Sequence, residues 1–517
     1  MLANAKHWVL NNQETDRSGD IAMVDERTRF EMYYPPFEGA IKAGVASMMC
    51  SYNRINGAGD DAWSCGNKET LAGDLKGRLG FEGFVMSDWG ATHATAIEAG
   101  LDMEQPNANW MGDKLLAAVK AGNVTADTID DSVGRMLAPM FEYGVMETYA
   151  QWTNLTKRSL RVTSKKHSAL ARELAAAGTV LLKNTAGVLP IVDKATNRIL
   201  VVGDQAKDPS VHGGGSGEVI PTYVISPLEG ITERAASGTV VAYDDGSDPA
   251  TAVAAAAAAD LVIVVVGMSS HEGVDRANLS FPTDQVELVA AIAAAAGSKT
   301  VVAAINPGSV LLPWDEAVAA TLLMFVPGLE CGHALADVLW GDVNPTARLP
   351  ITMPNKDNEV EFTKAMYPGV DGTSHYSEGL LVGYRYYDHH KIVPKYPFGH
   401  GLSFTEFDYS SLEVDSASLV LNFTVTNAGS SLGGATVAQA YLGFPASAGE
   451  PPRQLKGFHK TAVLPPGASE HITIELTARD LSTWDVGSHA WAKQSGKFTV
   501  EVGESSRDIR LTGSLHV

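Results

Sequence analysis

Gly83-Phe84-Val85-Met86-Ser87-Asp88-Trp89-Gly90 is the stretch that decides how this chain is read. Its apolar run, Phe84 to Met86, ends abruptly in a carboxylate, an indole and a glycine. A buried strand that finishes this way delivers Asp88 to the rim of its sheet, and in an α/β barrel the C-terminal ends of strands line the active site. The plainer alternative is that Ser87 or Asp88 caps a helix beginning near Ala91.

Working outward, the region to about Tyr149 alternates short strands with helices. Strands are expected at Met1 to Val9, Val45 to Tyr52, Gly83 to Asp88 and Leu101 to Met103. Helices are expected at Asp25 to Met32, Phe37 to Ala43, Lys68 to Arg78 and Thr128 to Phe141. Four such units are half of an eight-fold barrel, so residues 1–149 read either as a smaller open sheet or as a barrel with its front missing, that is, the C-terminal part of one. Residues 150–195 read as a linker: a polar patch from Gln151 to Lys166, a helix from about His167 to Ala177 and the strand Thr179 to Leu182.

Residues 196–344 hold continuous apolar runs at Ile199 to Val202, Thr239 to Tyr243, Leu261 to Val266, Thr300 to Ile305 and Thr321 to Phe325, with helices between. That pattern is an α/β sandwich covered on both faces. The Ala-rich run Thr251 to Ala259 reads as a buried helix. Residues 345–405 form a connector rich in Pro, Gly, His and Tyr. After Phe407 short strands at close intervals predict a fibronectin III-like β-sandwich over 406–517.

The chain has 517 residues with 39 Lys+Arg and 60 Asp+Glu, a net charge of -21, which argues against nucleic acid and anionic membranes as partners. No stretch is apolar enough to span a bilayer. No metal-ligand spacing occurs, and no cofactor is expected. Cys50 and Cys65 could close a loop of about fifteen residues or stand as two reduced thiols; Cys331 reads as a core thiol. Met1 leads into LANAKHWVL without a signal peptide's regions, so the chain is expected to begin inside a folded element. Four N-x-[ST] sequons, at Asn123, Asn154, Asn278 and Asn422, are compatible with secretion.

Two carboxylates invite comparison: Asp88, and Glu272 in Ser269-Ser270-His271-Glu272-Gly273-Val274-Asp275-Arg276, directly after the buried run Leu261 to Val266. Loops leaving the C-terminal edge of an α/β sheet are where ligands bind. A retaining glycosidase needs such a pair, one nucleophile and one general acid. Lys6 and His7, Met49, Tyr52 and Trp89 fall at neighbouring strand ends. Each alone could be structural; together they supply hydrogen-bond partners for sugar hydroxyls and an indole for a pyranose face. The Gly213-Gly214-Gly215-Ser216-Gly217 run lacks GxGxxG spacing and a P-loop lysine, so it reads as a tight loop close to a ligand. No GxSxG elbow supports a Ser-His-Asp hydrolase.

The stretches AKHWVLNNQETDR, MMCSYNRING and LGFEGFVMSDWGATH, followed by SSHEGVDRANLSFP, GDVNPTARLP and YPFGHGLSFTEF, resemble glycoside hydrolase family 3 on its β-glucosidase side. The resemblance implies a barrel, an α/β sandwich and a fibronectin-like domain, working by a two-step retaining mechanism without a metal. It implies Asp88 as nucleophile, Glu272 as acid/base, and Lys6, His7, Met49, Tyr52, Trp89 and Ser216 as substrate-binding residues. The substrate would be a β-linked gluco-oligosaccharide or an aryl or alkyl glucoside. The resemblance also implies a Cys50–Cys65 disulfide and a secreted or periplasmic full-length form. The absence of a KHFPGHG-type motif argues against the hexosaminidase branch. The family barrel has strands before the Lys6-His7 strand, and their absence leaves room for a weakly active or silent sugar-binding homologue, or for a homo-oligomer in which another chain completes the barrel. A β-xylosidase is the remaining alternative.

Overall fold

The computed structural model describes residues 1–148, 162–193 and 196–517. It divides into two compact units, one of Met1–Val162, Glu361–Leu380 and Trp484–Trp491, the other of Thr163–Val360, Leu381–Thr483 and Ala492–Val517. Among the described residues no helix is long and apolar enough to cross a membrane. The expected polar patch lies largely outside the described residues, as does Asn154.

In the first unit five short strands follow in chain order: β1 (Asn4–Trp8), β2 (Ile21–Met23), β3 (Ser47–Cys50), β4 (Arg54–Ile55) and β5 (Phe84–Ser87). β1, β3 and β5 form a parallel sheet in that order, with Lys6, Met49 and Met86 in register and Trp8, Cys50 and Ser87 one step further. Met48 and Val85 are fully buried, as strands covered on both faces require. Trp8 stacks on Tyr34 with ring centroids 4.6 Å apart, above Leu71 and Leu75. The partial barrel is thus a real packed sheet with its own core.

Several expectations are corrected here. Leu101 to Met103 is no strand; Met103 makes a single bridge to Met86. The helix expected at Lys68 to Arg78 runs from Glu69–Arg78 with π geometry, and the one expected at Asp25 to Met32 becomes π-helical over Arg29–Tyr33. Apolar spacing alone does not separate these windings. Val133 and Leu137 of the helix Ala126–Glu142 are exposed rather than packed. The connector is more than a connector: Thr373–His375 pairs with β2, which pairs with β4. Trp484, from the region read wholly as β-sandwich, also packs in this unit, stacked on Phe30 at 3.5 Å with planes 3° apart.

The second unit holds β6 (Val180–Asn184), β7 (Arg198–Val202), β8 (Val240–Asp244), β9 (Leu261–Gly267), β10 (Thr300–Ile305) and β11 (Ala320–Phe325), ordered β6-β11-β10-β9-β7-β8. All neighbours are parallel except β6 against β11. Alternate side chains feed two cores. Val201, Ile263 and Val265 meet Ala175, Ile231 and Ala334, while Val202, Val262 and Val264 meet Ala252, Val289 and Ile292. The helix Lys165–Gly178 and β6, read as linker, therefore belong to this sheet and its cover. The Ala-rich helix, Pro249–Ala258, buries only its Ala252 and Ala256 side.

Beyond these, a three-stranded sheet (Phe407–Asp415, Val420–Asn427, Ser469–Glu475) and a four-stranded sheet (Gln454–Lys460, Val437–Gly443, Lys497–Gly503, Ile509–His516) form the β-sandwich around Phe423, Leu442 and Phe498.

Candidate active site

Asp88 follows β5 directly, and its backbone is pinned from both sides. Its N–H donates to the Cys50 carbonyl at 3.2 Å, while the Gly90 N–H donates to Gln105 at 3.0 Å. No helix starts near Ala91, so the capping alternative falls away: Oδ1 accepts instead from the Trp89 N–H at 2.7 Å. His7 Nε2, reaching over from β1, lies 3.0 Å from Oδ2. The residue is only 7% exposed. Burial pushes its carboxyl up, but the close approach of His7, the hydrogen bond from the Trp89 amide and the nearby Tyr52 hydroxyl outweigh it and hold the group below the usual carboxylate range. The carboxylate is thus partly buried and yet kept ionised.

The sheet brings the other first-unit candidates to the same edge. Lys6 is exposed and Met49 buried beside it in register. Tyr52 reaches the Trp89 carbonyl at 3.4 Å, and the Trp89 side chain stands 53% exposed. Arg17 was not foreseen. Its guanidinium lies 4.7 Å from the centre of the Tyr52 ring, and it pairs with Glu14 at 2.9 Å. Its only signal in the sequence was its place in the polar run NNQETDR after β1. Cys50 and Cys65 are joined, which ties the end of β3 to the loop behind it.

In the second unit, Glu272 and Ser216 meet. The Ser216 N–H donates to Glu272 Oε2 at 2.7 Å. The Glu272 N–H donates to Gly214 at 3.2 Å and the Gly214 N–H to Ser270 at 3.0 Å, so the two loops run side by side. The glycines are what allow this approach. Gly215 sits at φ +105°, and a Cβ there would fall 2.4 Å from the Glu272 Cβ. The tight loop expected at Gly213 to Gly217 thus holds a carboxylate of the chain itself.

Two carboxylates on separate units, each held by dedicated hydrogen bonds, raise the question of ancestry. Models of the glycosyl hydrolase family 3 N terminal domain and C-terminal domain match residues 1–138 and 179–404, and a fibronectin type III-like domain model matches 436–506. A probable beta-glucosidase L of Aspergillus terreus is 39% identical over all of this chain and 77% of its own length. The chain belongs to glycosyl hydrolase family 3. A beta-glucosidase L of Emericella nidulans is a second such relative of the family, at 37% over the same shares. Among solved family 3 structures, DesR, a beta-glucosidase from Streptomyces venezuelae in complex with D-glucose, superposes with TM-score 0.91 at 30% identity, covering all of this chain and 82% of that one. The beta-D-glucoside glucohydrolase of Trichoderma reesei does so with TM-score 0.88 at 34%, covering all of this chain and 79% of that one.

Proposed function

We propose that this chain is a retaining, exo-acting β-glucosidase. In this reading the 1–149 region supplies the nucleophile and the 196–344 region the acid/base. The observation that carries it is the Asp88 carboxylate, nearly buried at a strand end yet kept ionised by His7, the Trp89 amide and Tyr52. Asp88 attacks the anomeric carbon of a terminal β-glucosyl residue while Glu272 protonates the departing oxygen. Glu272 then takes a proton from water, which displaces Asp88 and restores the β configuration.

The hydrogen bond from the Ser216 amide bears on that cycle. An N–H donor on Oε2 makes that oxygen the acceptor, so the transferable proton belongs on Oε1. Lys6 supplies a charge-assisted donor and His7 a ring nitrogen to sugar hydroxyls, and Trp89 and Met49 offer apolar faces to the ring. The family relatives named beta-glucosidase support glucose as the glycone. The Cys50–Cys65 bond supports a secreted or periplasmic setting, where thiols oxidise.

The test is trapping. A 2-deoxy-2-fluoro-β-glucoside with a good leaving group should label the peptide containing Asp88, and Asp88→Asn should abolish both labelling and turnover of aryl β-glucosides. A label on another carboxylate, or full turnover by Asp88→Asn, would sink the assignment.

A further inference from the structure

The segment between β7 and the helix Pro227–Arg234 contains the Gly213–Gly217 run that holds Glu272. Its middle is poorly covered: Val219 and Ile220 are 77% and 79% exposed. Apolar burial therefore does little to order it, and its hydrogen-bonded ends must. Both ends fasten to one turn. On the incoming side the Gly328 N–H donates to Val211 at 3.2 Å; on the outgoing side the Ile225 N–H donates to Leu329 at 2.8 Å and the Gly332 N–H to Ile225 at 2.9 Å.

At the outgoing end a side-chain relay reinforces this attachment. Tyr223 Oη lies 2.5 Å from Glu330 Oε1 and 2.6 Å from Ser168 Oγ. A phenol has one proton, which the carboxylate takes, so Ser168 donates in the second contact. Glu330 is only 6% exposed, and its other oxygen lies 2.6 Å from His333 Nδ1. His333 Nε2 in turn lies 2.9 Å from Glu233 on the helix Pro227–Arg234. A buried carboxylate held at one oxygen by a phenol and at the other by an imidazole is a rigid anchor.

We infer that Tyr223, Glu330 and His333 are positioning residues for the general acid: the relay fixes the exit of the glycine loop, and the loop's Ser216 amide fixes the Glu272 carboxyl. The inference rests on the reading of Glu272 as acid/base. A relay that merely staples the surface would affect stability and leave proton delivery alone.

Leaving-group dependence separates the two, because kcat/KM for a dinitrophenyl glucoside needs no proton from the enzyme whereas that for an alkyl glucoside does. Tyr223→Phe removes one hydroxyl from a partly exposed ring. It should lower kcat/KM for an alkyl β-glucoside roughly 10- to 30-fold, within what a small misplacement costs. The dinitrophenyl glucoside should change by less than about threefold, since its aglycone leaves unaided. Glu330→Gln, which keeps an acceptor for Tyr223, should show the same split at smaller size and serves if Tyr223→Phe folds poorly. Glu272→Ala is measured alongside and should show the split most strongly. If Glu272→Ala splits the substrates and neither relay variant does, or the variants lose both substrates equally, the positioning role is overturned while Glu272 keeps its place. If Glu272→Ala shows no split, the acid/base assignment fails and the inference fails with it.

Discussion

His7 Nε2 and the Asp88 carboxylate stand 3.0 Å apart across the ends of β1 and β5, two strands separated in the sheet by β3. The contact joins a residue that reads as a sugar-hydroxyl ligand to the proposed nucleophile. In that proposal His7 has two duties, and the second is electrostatic.

Removing the His7 ring has a predictable sign. The folded-state pKa of Asp88 is depressed, with His7 the largest of the influences that lower it against burial. In the proposed mechanism ionised Asp88 is the form that attacks, so the acid limb of kcat/KM reports it in the free enzyme. His7→Phe should move that limb to higher pH and lower the neutral-pH plateau by roughly 10- to 100-fold, the scale of losing one preorganised donor. The same linkage makes the wild-type contribution to stability present above the unfolded carboxyl pKa and lost as pH falls through the folded one. A pH–rate profile on an aryl β-glucoside checks the prediction; an unmoved acid limb would show that His7 does not hold Asp88 ionised.

A second prediction concerns the late-sequence visitor to the first unit. Besides its stack on Phe30, Trp484 donates from Nε1 to Glu26 at 2.7 Å and from its N–H to Glu31 at 2.8 Å. Trp484→Ala should cost about 3–5 kcal/mol, the usual range for emptying a buried aromatic site. Trp484→Phe keeps most of the stack and should cost only about 1–2 kcal/mol, chiefly the lost indole hydrogen bond. Urea denaturation followed by fluorescence and circular dichroism reads both.

Trp484 also marks where reading the sequence stops. The strands of the α/β sheet were legible because each is a continuous β-branched or apolar run; the expected Leu261 to Val266 is β9, Leu261–Gly267. Asp88 was legible because its apolar run ends in a charge and other polar and aromatic candidates fall at neighbouring strand ends, though the run alone would also have suited a helix cap. Partnership was not legible. β6 reads as a strand, yet nothing local says that it pairs antiparallel with β11 some 140 residues away. Thr373–His375 is three polar residues whose strand character exists only because β2 lies alongside. For the same reason the glycine run reads as a tight loop, while its occupant, Glu272, is 56 residues on from Ser216 and needs the fold to arrive.

The relay residue His333 carries a pH signature of its own. Burial pushes its imidazole down, but bonds to Glu233 and Glu330 outweigh this and Arg172 opposes them only in part, so the net pKa is raised. Glu229, which the His333 charge helps keep ionised, and Asp337 on the same helix complete its charged surroundings. A raised folded pKa means that the stabilisation is fully present below the unfolded histidine value near 6.5 and fades as pH rises through the folded one. The gap in Tm between wild type and His333→Ala should therefore be widest in mildly acidic buffer and narrow toward alkaline pH. A gap independent of pH would mean that the imidazole does not bind its proton through the two glutamates.

Gly215 offers the most direct handle on the loop that holds Glu272, the proposed acid/base. Its backbone lies at φ +105°, a region closed to side chains, and the Cβ of an alanine would meet the Glu272 Cβ at 2.4 Å and Oε2 at 2.9 Å. The Cβ contact cannot be relieved by a rotamer change, because that atom is the stem of Glu272. Gly215→Ala must therefore shift one loop or the other and break the Ser216-to-Glu272 bond. Since the loop is largely exposed, the global stability penalty should stay near the 1–3 kcal/mol of a strained backbone position. Activity should suffer far more, roughly 100-fold on alkyl glucosides for a displacement on the order of 1 Å. Thermal melting and kcat/KM measured on the same preparation separate the two effects. A variant that melts several degrees lower yet retains full activity would mean that Glu272 does not depend on this loop for its position.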